Sequence, residues 1–189
     1  MKRIPQKPQV DFFRRRLLHT AALIVPIVTV LPAEPLLAAI GKEQRTLSFY
    51  HTHTSEKLAV TYSENDKYIP SALEEINFFL RDFRSGEAHA IDPKLLDILF
   101  SLQCGTGNQG TFEVISGFRS PQTNEMLRSR SNGVAKRSLH TEGKAIDIRL
   151  RDVSCTTIRD CAMALKCGGV GYYGASNFVH IDTGRVRAW

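Results

Sequence analysis

The stretch Ser138-Leu-His-Thr-Glu-Gly-Lys-Ala-Ile-Asp147 changes character at Gly143. Before the glycine it is a polar loop that ends in His140. After it, Ala145, Asp147 and Arg149 take one face of a strand over Lys144–Leu150, and Ile146, Ile148 and Leu150 take the other. Gly143 gives the chain the freedom to turn between loop and strand. The strand carries an anomaly, because Asp147 sits between two isoleucines. A carboxylate in a half-buried strand is costly unless it is paired, hydrogen-bonded or bound to a metal. A second anomaly lies in Asn177-Phe-Val-His-Ile-Asp-Thr183, where Phe178, His180 and Asp182 share one face and Val179 and Ile181 the other. One such histidine is ordinarily a satisfied polar group. Two imidazoles and one carboxylate together form a normal catalytic zinc set, with the fourth position left to water. His140, Asp147 and His180 are therefore the candidate metal ligands, and Zn2+ is the expected cofactor.

Outward from this centre the elements follow from periodicity. Residues 46–62 read as a β-hairpin with a polar centre at Thr54-Ser-Glu-Lys57. Leu73, Ile76, Leu80 and Phe83 predict an amphipathic helix over 70–84. Asp92 and Pro93 suit the N-cap and first position of a second helix, with Leu96, Leu99 and Leu102 as its apolar stripe and Gly105 as its stop. A strand is predicted at 111–116. Ser120-Pro121 opens a third helix through about Arg130, and residues 131–139 form a polar loop. A short helix over 155–166, closed by Gly168-Gly169, and strands at 169–173 and 178–183 complete the chain. The sum is an α+β domain over residues 40–189, an antiparallel sheet with flanking helices.

The 189 residues are 42% hydrophobic and 23% charged, ordinary for a soluble globular protein. The net charge of +6 invites a nucleic-acid reading, yet residues 1–39 hold +4 of it. The remaining 150 residues carry only +2, which gives no electrostatic footprint for a polyanion. The basic segment ends in Arg14-Arg15-Arg16 and is followed by the broken apolar run 17–31. That pattern reads as an export signal of the twin-arginine type over residues 1–39, or as an uncleaved N-terminal anchor. Membrane contact is expected only through this leader. Export puts Cys104, Cys155, Cys161 and Cys167 in an oxidising compartment, where bridging and burial as free thiols are both open readings.

With these residues in hand the chain resembles a known family. Ser138-x-His140-x-x-Gly143-x-Ala145-x-Asp147 followed by a His-x-Asp strand resembles the zinc peptidases of the D-Ala-D-Ala carboxypeptidase, lysostaphin and hedgehog fold group. The MepK-like murein endopeptidase branch is the nearer likeness. It rests on Ile115-Ser-Gly-Phe-Arg-Ser120, Gly133-Val-Ala-Lys136, Gly168-Gly-Val-Gly-Tyr-Tyr173 and Ser176-Asn-Phe-Val-His-Ile-Asp-Thr-Gly184, over roughly residues 46–189. The resemblance implies a hedgehog/D-Ala-D-Ala-carboxypeptidase-like fold and a peptidoglycan hydrolase of the periplasm. His140, Asp147 and His180 match the three zinc ligands. Arg119 matches the arginine that binds or polarises the scissile carbonyl, a sensible role for a guanidinium beside a developing oxyanion.

One departure bears on mechanism. Many relatives carry an acid three residues before the last histidine, as general base. Asn177 stands there in this chain and cannot take a proton at neutral pH. The MepK-like branch shares it, so the base is left unassigned. Asp182 is the nearest carboxylate, as base or as orienter of His180, and Glu142 is a weaker candidate. His51 and His53 read as an exposed hairpin pair. Tyr172 and Tyr173 could line a cleft or fill the core. Three functions remain open: an endopeptidase on peptide cross-links, a metal-bearing module that only binds peptidoglycan, and a carboxypeptidase that trims D-Ala.

Overall fold

A computed structural model describes residues 44–131 and 133–189. The expected leader over 1–39 lies outside the described residues. Eight strands form one sheet: β1 Gln44–His51, β2 Lys57–Glu64, β3 Lys67–Tyr68, β4 Phe112–Ser116, β5 Ala145–Leu150, β6 Gly169–Tyr173, β7 Phe178–Asp182 and β8 Arg187–Ala188. Four helices accompany them among the described residues: α1 Pro70–Phe79, α2 Pro93–Thr106, α3 Pro121–Arg130 and α4 Cys155–Leu165. No helix among the described residues is long and apolar enough to cross a membrane.

Strands run in the order β3-β2-β1-β4-β5-β7-β6-β8. The fold is α+β as expected, with a mostly antiparallel sheet. The pairs β1–β4 and β6–β8 are parallel, which makes the sheet mixed. Alternation divides its faces. Phe112, Val114, Ile146, Ile148, Val179 and Ile181 enter the core with Ile76, Leu80, Leu95, Leu99 and Ile158 from the helices. Each fully buried side chain of this size contributes roughly 1.5–3 kcal/mol. The opposite face carries the polar residues of β5 and β7, since Asp147 stands opposite His180 across the ladder.

Boundaries moved where local chemistry outweighs periodicity. The first helix stops at Phe79 rather than near 84. Asp82 is sealed inside, where its carboxylate accepts from the main-chain N–H groups of Arg84 (2.9 Å) and Ser120 (2.9 Å). Those bonds turn the chain inward and join α1 to the start of α3. The second helix runs through Gly105 and closes on Gly107, which adopts φ +64°. The fourth is capped by Lys166 in the left-handed region rather than by the glycine pair. Gly168 serves packing instead: a Cβ there would lie 1.7 Å from the Asp182 carbonyl oxygen. The cysteines are free thiols, with only Cys155 buried, so the bridging reading is not supported. His51 is buried at 1% exposure, against the expectation of an exposed pair.

Candidate metal centre

His140 rides on a 3-10 turn, Leu139–Glu142, that ends at Gly143 with φ +66°. A Cβ at Gly143 would lie 2.1 Å from the Ala90 carbonyl oxygen, so the close approach as well as the angle requires glycine. This turn delivers the imidazole to the sheet face where Asp147 (β5) and His180 (β7) stand side by side. All three residues are buried or nearly so.

Each outer ring nitrogen has a fixed acceptor. His140 Nδ1 lies 2.8 Å from the Gly117 carbonyl oxygen, and a carbonyl can only accept. His180 Nε2 lies 3.0 Å from Asp182 Oδ2, also an acceptor. The hydrogens therefore sit on those nitrogens, and His140 Nε2 and His180 Nδ1 turn their lone pairs inward. They lie 3.2 Å apart, and Asp147 Oδ1 is 3.3 Å from the first and 2.9 Å from the second. Three lone pairs at such separations repel unless a proton or a cation lies among them. Zinc bonds of about 2.0–2.1 Å in a tetrahedral set would separate their donors by about 3.3 Å. The set thus fits a metal ion taking nitrogen and oxygen ligands, and the three donor atoms all lie within 4.8 Å of one another.

The supporting groups are as definite. Burial opposes ionisation of Asp147, yet the charge and hydrogen bonding of His140 and His180 outweigh it and hold the carboxyl well below its usual range. Burial lowers the basicity of His180, and its bonds to Asp147 and Asp182 more than reverse that. Asp182 is fully buried and saturated. Oδ1 accepts from Gly169 N (3.0 Å), Gly184 N (2.9 Å) and Arg187 (3.0 Å), and Oδ2 from His180 and Arg187 (2.7 Å). With no lone pair left to face the cleft, Asp182 is built to orient His180 rather than to take a proton. Glu142 pairs with Lys144 on the surface and is not part of the cleft lining. Asn177 turns its side chain to the Cys155 thiol, 3.3 Å away.

Arg119 closes the other side. Its main-chain N–H donates to the His140 carbonyl oxygen (3.1 Å), and its guanidinium reaches Asp147 Oδ2 at 3.8 Å and Ser116 Oγ at 3.4 Å. Burial pulls its pKa down while Asp147 opposes the shift. Its Nε is buried and has no partner among the described residues. The structure therefore brings Arg119 and the three candidate ligands together at one cleft of about 300 Å³.

Three residues of the cleft wall were missed in the sequence, Trp189, Arg187 and Arg137, whereas Phe178 lines it on the face it shares with His180. Trp189 reaches the site because β8 adds in parallel beside β6, so that the Trp189 N–H donates to the Val170 carbonyl oxygen at 3.2 Å. Its indole centroid is 5.3 Å from the His180 ring. Of the two tyrosines, Tyr173 lines the cleft and Tyr172 packs on the core.

A His-Asp-His set beside a cleft arginine, on an α+β frame, fits a metallopeptidase. The chain belongs to the peptidase M15 family described as peptidoglycan L,D-endopeptidase MepK, whose model matches residues 39–189. It is 39% identical over 179 residues to peptidoglycan L,D-endopeptidase MepK of Escherichia coli K12, covering 95% of this chain and 98% of that protein. The MepK protein of Shigella flexneri matches to the same extent. The probable peptidoglycan L,D-endopeptidase MepK of Haemophilus influenzae is 38% identical over 181 residues, 95% of this chain and 97% of that one. No solved structure matches the chain significantly.

Proposed function

We propose that this protein is a zinc-dependent peptidoglycan endopeptidase that hydrolyses L,D peptide cross-links, those between diaminopimelate residues, with D-alanyl-diaminopimelate bonds as a secondary target. His140, Asp147 and His180 would hold the ion. Bound zinc would supply Lewis acidity and would make water a stronger nucleophile near neutral pH. The observation that carries the reading is the convergence of three donor atoms, two of them on imidazoles whose outer nitrogens already have fixed acceptors. The near full-length likeness to MepK proteins supports the substrate.

The chain's own groups then divide the work. Arg119, with a buried and unpartnered Nε, donates to the carbonyl oxygen as it gains charge. Asp182 is a positioning residue that keeps the hydrogen of His180 on Nε2. Residues 1–39 carry the domain to the periplasm by the twin-arginine route, and the domain spans 40–189. A second reading, a module that binds peptidoglycan without cleaving it, draws on the absence of any acid other than Asp147 from the described cleft lining.

Digestion of purified cross-linked muropeptides by the zinc-loaded protein separates the two. The peptidase reading expects dimers resolved to monomers, with His140→Ala inert. Unchanged dimers in both, with sacculi still bound, would support the module, whereas release of D-Ala from intact dimers would indicate a carboxypeptidase.

A further inference from the structure

Among the described residues the cleft has no free acid, and few donors besides Arg119 could meet the reacting carbonyl. Among the described lining residues the ionisable side chains are Asp147, the two histidines, Tyr173 and three arginines. Arg187 is committed to Asp182 through both terminal nitrogens. Asp182 itself is sealed, and Asn177 faces Cys155. Arg137 is an exposed side chain, and the hydroxyl of Tyr173 is the remaining donor on the sheet face that carries the metal set.

Register puts Tyr173 on the same face as the metal set. Gly171 stands opposite His180, and Tyr173, two residues on, stands opposite Phe178. Tyr172 points the other way, into the core. Phe178 stacks on the Tyr173 ring at 4.6 Å with 15° between planes, which fixes the ring over the cleft. Trp189 Nε1 donates to Tyr173 Oη at 3.0 Å. An indole N–H can only donate, so the tyrosine oxygen is the acceptor and its own hydrogen stays available. No hydrogen bond from that hydroxyl is made among the described residues. Accepting one bond also polarises the O–H for the next. Trp189 is seated for this purpose by a missing side chain, since a Cβ at Gly171 would lie 2.7 Å from the indole.

We propose that Tyr173 is a catalytic residue whose hydroxyl donates a hydrogen bond to the substrate's carbonyl oxygen as charge builds on it, held in place by Trp189 and Phe178. This inference rests on the peptidase reading. It pairs a neutral donor with the cationic Arg119 in an oxyanion site, and no covalent step passes through the tyrosine. The bond strengthens in the transition state, so its loss reduces kcat more than it raises KM.

Two measurements on the zinc-loaded full chain test it, with Tyr172→Phe as the comparison on the opposite face. In muropeptide cleavage, Tyr173→Phe is expected to lower kcat by about 10²-fold with KM changed less than about twofold. The second readout is binding. Trp189 is the chain's single tryptophan, so its fluorescence reports occupancy of this cleft alone. A phosphinate dipeptide carrying a tetrahedral oxyanion in place of the scissile amide should bind Tyr173→Phe at least about tenfold more weakly than wild type. The cleaved product peptide should bind both equally. Wild-type kcat in Tyr173→Phe, or equal loss of phosphinate and product binding, overturns the inference and leaves the peptidase reading standing. A wild type that cleaves no cross-linked muropeptide overturns both.

Discussion

Two histidine pairs lie close in this fold, and only one is equipped to hold a metal. His51 and His53 are two residues apart, with ring centroids 6.0 Å from each other. His140 and His180 are forty residues apart, with centroids at 5.0 Å. The neighbours differ. His51 packs against Phe79 and Phe83, and His53 stacks on Phe83 at 4.2 Å. His51 Nδ1 is used up by the main-chain N–H groups of His53 and Thr54, and its Nε2 is buried without a partner among the described residues. The second pair instead has an acceptor behind each ring and a carboxylate between them. Proximity of imidazoles in sequence is thus a poor guide. What makes a site is the set of outer acceptors that turn lone pairs to a common point.

The largest contrast should appear in catalysis. His140→Ala is expected to reduce muropeptide turnover by about 10³-fold or more, the equivalent of several kcal/mol of lost metal assistance. His53→Ala should stay within about twofold, since His53 is exposed and does not line the cleft. Comparable losses in both variants would break the comparison.

A smaller effect is expected one step behind the ligands. Asp182→Asn cannot accept both Arg187 and His180 as before, and it leaves a half-buried guanidinium poorly paired. It should weaken zinc binding by about 10–100-fold. It should also cost about 1–3 kcal/mol in urea unfolding, as for a buried acceptor that loses charged hydrogen bonds. Unaltered zinc affinity would show that His180 needs no support. On the other side, His51→Ala removes a buried ring and the acceptor of two N–H groups, at about 2–3 kcal/mol, without loss of zinc.

The mildest effect concerns pH. Burial, reinforced by His53, holds the pKa of His51 below its ordinary 6.5. The folded state therefore binds fewer protons than the unfolded chain just below that pH. Stability from this group is full above about 6.5, and it declines as pH falls towards the lowered value. A melting series from pH 7.5 to 5 should show that decline in wild type and a shallower one in His51→Phe. Identical slopes would refute the burial effect.

How much of this was legible in the sequence follows from range. Period-two alternation is local, so Asp147 and His180 stood out between isoleucine and valine neighbours. Asp92-Pro93 and Ser120-Pro121 marked two helix starts for equally local reasons, and Asp92 and Ser120 do cap α2 and α3. Asp182 was visible, but its saturation depends on Gly169, Gly184 and Arg187 meeting in three dimensions. Trp189 and Arg187 gave no signal, because a two-residue strand pairing in parallel with β6 leaves no periodic trace. The burial of His51 was missed for a similar reason, since Phe79 and Phe83 come from beyond the hairpin.

The most direct test of the ligand set is metal content. Zinc analysis of the purified protein should give about one ion per chain for wild type, for His51→Ala and for His53→Ala. Asp147→Ala should give a small fraction of that at the same zinc concentration. Full zinc in Asp147→Ala, or loss of zinc in His51→Ala, would contradict the account.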